Sequence, residues 1–273
     1  MSEFYPIDDV VIAKIGTNVI AEVAGDGSEN LNPEAFNQVG QSVMSAREAG
    51  YSLILVTSAG ISAGMQQTGV RPRPSIGSEI KSLQWLSSVG WRPLLNLWDA
   101  ALPSVVTAGI QLTRHELEDD ALTSERQEAL NTIYTTLANG GIPIINENDA
   151  ISHGEITFGD NDILAGTLAA HIGRSALFGS EVKLVLLTDV DGIYTDIANS
   201  ASLLRVVHNI AASRKHAVDT ISKNGRGGIE SKYDAAEIAK ESGIETFVAN
   251  GLESDAIQRA ITGEIGTRFK IAA

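Results

Sequence analysis

Short apolar runs alternate with helix-forming segments along nearly the whole length of this chain. Residues 10–15, 52–56 and 182–187 are almost wholly apolar, and each run ends at small or polar residues. Runs of this kind are typical of strands that are buried on both faces of a sheet. Strands separated by helices pair in parallel through crossovers. The pattern therefore predicts an α/β fold with a mainly parallel sheet and helices on both faces.

Further elements follow from the same periodicities and from glycine and proline positions. Additional strands are expected at residues 105–112, 142–145 and 244–249, and helices at 33–49, 124–139, 162–173, 233–242 and 254–262. A long amphipathic segment covers residues 76–101, where Pro93 is predicted to kink or split the helix. Its three tryptophans are expected in the core or in a subunit contact rather than around a ligand. The 273 residues allow one large domain or two small ones.

Two clusters of carboxylates and amides frame residues 150–158. Residues 146–149 (Asn-Glu-Asn-Asp) follow an apolar run, and residues 159–162 (Gly-Asp-Asn-Asp) lead into a helix, after a segment expected to be hairpin-like. A strand end and a helix start project side chains into one crevice in an open α/β sheet. A polar turn with a helix cap is the alternative interpretation. Two clusters this dense exceed what capping requires, so a ligand site is favoured.

Three other segments are candidates for binding an anion. Lys14 lies inside the first apolar run, where an ammonium group must meet an anion or extend to solvent. Residues 57–64 are a small-residue turn before a helix, which exposes N–H groups and the hydroxyls of Ser58 and Ser62. Residues 224–228 (Asn-Gly-Arg-Gly-Gly) lead to a helix that carries Lys232. Close packing and a flexible surface loop are the respective alternatives for the last two segments.

Composition excludes several classes of function. Asp and Glu number 34 against 20 Lys and Arg, and the net charge of −14 argues against nucleic acid as a partner. The chain has no cysteine, which excludes disulfides and thiolate metal sites. No apolar run approaches the roughly 18 residues of a membrane helix, and no signal peptide is evident. We therefore expect no membrane partner and a cytoplasmic location.

Five segments in this order resemble the amino-acid kinase family and, within it, the glutamate 5-kinases. They are residues 14–17, 56–58, 145–149 with 159–162, 187–189, and 227–232. The resemblance implies a three-layer αβα sandwich and a single domain over residues 1–273. An amino-acid-binding half would cover about 1–175 and a nucleotide-binding half about 176–273. Many family members continue into an RNA-modification-type (PUA) domain, and we expect none here.

The resemblance also implies an activity and its residues. The activity is ATP-dependent phosphorylation of the side-chain carboxylate of L-glutamate, the first step of proline biosynthesis, with Mg²⁺ and a homo-oligomeric enzyme, a dimer or tetramer. The implied catalytic residues are Lys14 and Lys232, which contact the phosphates, and Asp162, which orients both lysines. Ser58, Asp149 and Asn161 match glutamate-binding positions. The implied nucleotide-binding residues are Lys14, Thr188, Asp189, Arg226, Gly227, Gly228, Ile229, Glu230, Ser231 and Lys232. No metal ligand is identified in the chain.

Four places depart from the family pattern, and one of them is residues 195–197 (Thr-Asp-Ile), where the family has Ala-Asp-Pro. Ala59 stands where the family usually has glycine, Trp91 replaces a usual glutamine, and Arg226 adds a cation to the glycine-rich loop. A sibling kinase acting on N-acetylglutamate, carbamate, UMP or isopentenyl phosphate is one alternative. A regulator that binds nucleotide without transferring phosphate is another. Residues 65–80 are a candidate for a lid that excludes water from the acyl phosphate.

Overall fold

The computed structural model describes residues 5, 7–75, 78–118, 120–151, 160–178, 181–218 and 228–271. The strands are β1 (Val10–Ile15), β2 (Ala21–Val23), β3 (Glu29–Leu31), β4 (Ser52–Val56), β5 (Thr107–Leu112), β6 (Ile142–Glu147), β7 (Val182–Thr188), β8 (Val206–Val207), β9 (Glu245–Asn250) and β10 (Thr267–Phe269). The helices are α1 (Thr17–Ile20), α2 (Pro33–Glu48), α3 (Gly60–Thr68), α4 (Ile80–Ala101), α5 (Arg114–Glu118), α6 (Thr123–Ala138), α7 (Asp160–Arg174), α8 (Ile210–Val218), α9 (Glu230–Glu241) and α10 (Ala256–Ile261).

One eight-stranded sheet forms the centre of the molecule, in the order β5-β6-β4-β1-β7-β9-β10-β8. Neighbouring strands from β5 to β9 pair in parallel, whereas β10 is antiparallel to β9 and parallel to β8. β2 and β3 form a separate antiparallel hairpin. The predicted α/β class with a mainly parallel sheet is confirmed.

Alternate residues of the central strands face two different hydrophobic layers. In β1, Val10 and Ile12 pack in a cluster with residues of α5 to α9, whereas Val11 and Ala13 pack in a cluster with residues of α2, α4 and α10. The same alternation continues in β4 and β7. Successive strand residues point to opposite faces of the sheet. A strand that is buried on both faces therefore needs apolar residues at its odd and its even positions. The result is a sheet between two helical layers.

The helix α4 runs without interruption through Pro93, so the predicted split does not occur, whereas the predicted kink stays a prediction. Proline within a helix removes one hydrogen bond and costs about 3 kcal/mol. Leu83 and Leu86 before Pro93, and Trp98 after it, are all fully buried, so packing holds both halves of the helix. Of the three tryptophans, Trp98 lies in the core against Phe36, and Trp85 is 52% exposed.

The hairpin β2–β3 was not predicted. It contacts the small-residue turn at 57–64 through Ser62 and the predicted lid at 65–80 through Arg73. Glu29 of β3 is buried and accepts hydrogen bonds from Ser62 (2.5 Å) and Arg73 (2.8 Å). The Ser62 hydroxyl therefore donates its proton to a residue inside the protein, and its use by a ligand stays a prediction. Of the predicted lid at 65–80, residues up to 68 belong to α3, and α4 begins at Ile80. Of the predicted hairpin-like segment at 150–158, residues 152–158 lie outside the described residues.

Candidate active site

The carboxyl ends of the parallel strands meet along one edge of the sheet, and the predicted site residues lie there. Lys14 is near the end of β1, Ser58 follows β4, Asp149 follows β6, and Thr188 ends β7. The chain builds β4, β5 and β6 on one side of β1, and then crosses through α7 to β7 on the other side. Such a switch point opens a crevice at the strand ends, where ligands bind in open α/β sheets.

The three residues predicted to be catalytic lie in direct contact. Lys14 has the same parity in β1 as Val10 and Ile12, so its side chain points towards the layer that contains α7 and α9. Its Nζ atom lies 2.7 Å from Oδ1 of Asp162, and the Nζ atom of Lys232 lies 3.3 Å from Oδ2. The exposed fractions are 6% for Lys14, 1% for Asp162 and 9% for Lys232. One buried carboxylate thus bridges two ammonium groups.

Close packing of α7 on α9 sets the distance between Asp162 and Lys232. A Cβ atom on Gly166 would lie only 2.9 Å from the backbone of Ala235, so the two helices touch through their main chains at this point. Gly166 is about one turn after Asp162, and Ala235 about one turn after Lys232. Ser231 donates a hydrogen bond to Oδ2 of Asp162 at 2.7 Å. The first turns of α7 and α9 are therefore joined through the carboxylate of Asp162.

Burial and charge oppose each other in this group of residues. Burial lowers the pKa of Lys14 below its ordinary value of 10.5; Asp162 counteracts this effect, and the charge of Lys232 adds to it. Burial by itself raises the pKa of Asp162, but the two lysines and the Ser231 hydroxyl outweigh burial and hold that pKa well below its ordinary 3.8. The acid is therefore ionised at neutral pH. Two cations face one anion, so the group carries net positive charge that suits an anionic ligand.

The residues predicted to bind glutamate connect three elements. The side-chain oxygen of Asn161 accepts a hydrogen bond from the backbone N–H of Glu147 at 3.0 Å, and its Nδ2 donates to Asn146 at 3.3 Å. These bonds join the first turn of α7 to the end of β6. Asp149 accepts a hydrogen bond from Ser87 of α4 at 2.8 Å. The two polar clusters of the sequence therefore meet, and α4 contacts the first of them.

The turn after β4 has an unusual backbone conformation. Ser58 is buried, and Ala59 adopts φ 71° and ψ 17°, in the left-handed region that favours glycine. Thr57 donates a hydrogen bond to the carbonyl of Ser58 and accepts one from the indole of Trp98 at 2.9 Å. These contacts hold the turn that presents Ser58 at the edge of the sheet.

The residues predicted to bind nucleotide divide between β7 and the start of α9. Thr188 is buried, Asp189 is exposed, and Asn18 of α1 donates to Asp189 at 3.1 Å. The carbonyl of Gly228 accepts a hydrogen bond from Lys232 at 2.7 Å. Ile229, Glu230 and Ser231 continue into α9. Arg226 and Gly227 lie outside the described residues.

Sequence reasoning assigned no individual role to two residues that contact this group. Ser87 is separated from Asp149 by 62 residues, and Asn146 from Asn161 by 15. Asn146 lay within a segment already marked as polar, so its position was the available signal. Ser87 is one serine in a long amphipathic helix, and no sequence pattern distinguishes it.

A sequence model of the amino acid kinase family matches residues 9–250, which is most of the chain. The chain belongs to the amino acid kinase family.

Curated relatives narrow the class further. The glutamate 5-kinase of Photorhabdus laumondii is 36% identical over 269 residues, which cover 95% of this chain and 68% of that enzyme. The glutamate 5-kinase of Serratia proteamaculans is 35% identical over 269 residues with the same coverage of both proteins. The predicted resemblance to the glutamate 5-kinases is confirmed, and so is the prediction that this chain is an enzyme.

Solved structures show the same fold at low identity. A carbamate kinase from Giardia lamblia bound to AMP-PNP has a TM-score of 0.65 and 15% identity, over 96% of this chain and 98% of that one. A UMP kinase from Bacillus anthracis has a TM-score of 0.61 and 15% identity, over 98% of both chains. The predicted sandwich of the amino-acid kinase fold is confirmed.

Proposed function

We propose that this chain transfers the γ-phosphoryl group of ATP to the side-chain carboxylate of L-glutamate, the first step of proline biosynthesis. The observation that carries the proposal is the carboxylate of Asp162 bridging Lys14 and Lys232, 2.7 Å and 3.3 Å away. A protein that only holds a nucleotide has no need of two buried lysines held by one acid. The identity to glutamate 5-kinases supports the choice of substrate.

The reaction needs alignment and charge neutralisation rather than proton transfer. An oxygen of the glutamate carboxylate forms a bond to the γ-phosphorus, and the bond from that phosphorus to the bridging oxygen of ADP breaks. The bonding electrons stay with ADP, and the products are glutamyl 5-phosphate and ADP. No general base is required, because the attacking carboxylate is already ionised at neutral pH. The difficulty is bringing two anions together, which positioned cations overcome.

Lys14 and Lys232 are proposed to divide this task. Lys14 is next to the strand ends that carry the glutamate-binding residues, so it suits the oxygens between acceptor and γ-phosphate. Lys232 lies in the first turn of α9, where the helix N-terminus adds further positive potential for the phosphates of the leaving ADP. Asp162 keeps both side chains charged and aimed, because each ammonium contacts one of its oxygens.

Asp149, Ser58 and Asn161 are proposed to hold the amino acid. A carboxylate accepts several hydrogen bonds, so Asp149 suits the α-ammonium of glutamate in addition to Ser87. Asn161 uses one N–H of its amide on Asn146 and has a second to donate to a carboxylate. This division makes residues of about 1–175 the amino-acid half and those of about 176–273 the nucleotide half.

Thr188, Asp189 and the segment from Arg226 to Lys232 are proposed to contact ATP. The described groups near the two lysines are the carboxylate of Asp162, which both ammonium groups already contact, the hydroxyl of Ser231 and the carbonyl of Gly228. Within the described residues, no group of three or more His, Cys, Asp or Glu side chains is placed to hold a metal. Mg²⁺ is therefore proposed as a partner of the nucleotide phosphates, where it would neutralise charge.

Two further predictions belong to this proposal. We propose a homo-oligomer, as the resemblance implies, and a cytoplasmic location, as expected from the sequence. Along the described part of the chain, no helix has both the length and the apolar character to cross a membrane.

The test is release of ADP on addition of glutamate, with hydroxylamine trapping the acyl phosphate as a hydroxamate. Lys14→Ala and Lys232→Ala should each lower kcat by at least ~100-fold, since each removes a preorganised cation. Lys240→Ala is the matched control, because Lys240 is on the same helix α9 near its other end. Carbamate, UMP, N-acetylglutamate and isopentenyl phosphate form the comparison panel. No hydroxamate with glutamate, or faster turnover of a panel member, would overturn the proposal.

A further inference from the structure

Ser87 makes a contact that its neighbour in the same helix does not. A serine inside a helix commonly turns its hydroxyl back to the carbonyl four residues earlier. Ser88 does this and donates to the carbonyl of Gln84 at 2.9 Å. Ser87 instead donates to Oδ2 of Asp149 at 2.8 Å, although it is only 1% exposed and 62 residues away in sequence. The hydroxyl therefore serves a residue outside its own helix.

Contact between α3 and α4 determines where the Ser87 hydroxyl lies. A Cβ atom on Gly90 would lie 1.9 Å from the carbonyl oxygen of Gly60, and one on Gly64 would lie 2.0 Å from that of Leu86. The two helices therefore touch through their backbones. Ser87 is three residues before Gly90, which places both on the same face of α4. The backbone position of Ser87 is thus set by helix packing.

The turn that carries Ser58 borders the same hydroxyl. A Cβ atom on Gly60 would lie 3.3 Å from Oγ of Ser87 and 3.5 Å from Nδ2 of Asn146. Ser87 is therefore next to the start of α3 and the end of β6, the two elements that bring Ser58 and Asp149 to the site. The absence of a side chain on Gly60 leaves room for this arrangement.

We infer that Ser87 is a positioning residue for the amino-acid substrate, acting through Asp149 on recognition of the α-ammonium group. An aspartate after a strand end rotates about two side-chain bonds, and a donated hydrogen bond from a rigid helix restricts it to one orientation. The carboxylate retains acceptor capacity for an ammonium ion, because it has about four lone-pair sites. This inference rests on the proposed function, since it needs an amino-acid substrate that contacts Asp149.

The test compares Ser87→Ala with Ser88→Ala in the full chain. Ser87→Ala should raise KM for glutamate roughly tenfold, since a hydrogen bond to a charged group contributes at least about that factor. Its kcat and its KM for ATP should stay at the wild-type values, which also shows that the variant is folded. Ser88→Ala should match the wild type in every constant. If Ser87 served only general stability, Ser87→Ala would not raise KM for glutamate while leaving KM for ATP unchanged.

Glutarate, the same diacid without the amino group, identifies the group that is recognised. Its affinity, measured as a substrate or as a competitor of glutamate, should be equal in the wild type and in Ser87→Ala. An unchanged KM for glutamate in Ser87→Ala, or an equal weakening of glutamate and glutarate, would overturn the inference and leave the proposed function intact. A wild-type protein without glutamate-dependent ADP release would overturn both.

Discussion

Lys14 shows how a single charged residue inside an apolar strand indicates a site. Burying an ammonium group is costly unless a charged partner is present, and Asp162 is that partner. Its position in β1 is set by strand parity, because a shift of one residue would point it into the opposite hydrophobic layer. The contact with Asp162 explains why this residue is tolerated at the centre of the sheet.

The lowered pKa of Lys14 predicts an early loss of activity at alkaline pH. The protonated amine is the form that attracts phosphate, and burial and Lys232 lower its pKa below 10.5. The value of kcat/KM for ATP should therefore begin to fall at a lower pH than an ordinary lysine would cause. A pH profile of kcat/KM, with thermal unfolding measured at each pH, checks this. A decline that begins only above 10.5 would contradict the expectation.

Ala59 combines a left-handed backbone with a side chain, and this strain predicts a stabilising substitution. The left-handed region costs a residue with a Cβ atom roughly 1–2 kcal/mol, partly offset by the greater freedom of glycine in the unfolded chain. Ala59→Gly should therefore raise the free energy of unfolding by up to about 1 kcal/mol. Ala63→Gly, inside helix α3, is the matched control and should lower it by about 1 kcal/mol. Denaturant titration that gives both changes the same sign would refute this explanation.

Among the elements, the packing of α7 against α9 determines whether Lys14 and Lys232 can both contact Asp162. Each helix carries its site residues in its first turn, and the contact of Gly166 with Ala235 brings those turns together. The geometry of the site therefore depends on a glycine that lies one helical turn after Asp162.

The close approach of α7 to α9 predicts different effects on stability for two glycine substitutions in α7. Gly166→Ala places a methyl group 2.9 Å from the backbone of Ala235, which should lower stability by about 1–3 kcal/mol and reduce kcat. Gly173→Ala meets side-chain atoms rather than backbone, and the nearest is the terminal Cδ1 of Ile244 at 2.9 Å, which can move. That variant should be neutral or slightly stabilising, because alanine favours helices. Unfolding curves and kcat for both variants check this, and equal stabilities would contradict it.

At the scale of the whole molecule, one sheet joins the two proposed halves. β1 and β7 pair over six residues, from Val10 with Val182 to Ile15 with Leu187. Apolar residues from both strands contribute to both hydrophobic layers. A cut between the halves would therefore expose two strand edges and divide both cores.

This continuity predicts that the halves unfold together. Differential scanning calorimetry should show one transition, with a van't Hoff enthalpy equal to the calorimetric enthalpy for the folding unit. Separate chains of residues 1–175 and 176–273 should not fold by themselves. Two resolved transitions, or a folded isolated half, would show that the halves are independent domains.

Much of the architecture was determined by the sequence alone, because its signals are local. Apolar runs at residues 10–15 and 182–187 predicted buried parallel strands, and both are central in the sheet. The polar clusters at 146–149 and 159–162 indicated a crevice, and Asn161 does bond to the end of β6. Lys14, Asp162 and Lys232 were chosen from local context and the resemblance, and they lie in contact.

Only the tertiary structure decided the features that depend on distant neighbours. Pro93 carries a local signal for a break, yet burial of Trp98 and Leu86 on either side keeps α4 intact. Ser62 lies in a turn that was predicted to bind a ligand, but its hydroxyl donates a hydrogen bond to Glu29, which belongs to a hairpin that was not predicted. Ser87 had no local signal at all. Periodicity reports which face of an element is apolar, whereas the partner of a polar group depends on which elements pack together across the sheet.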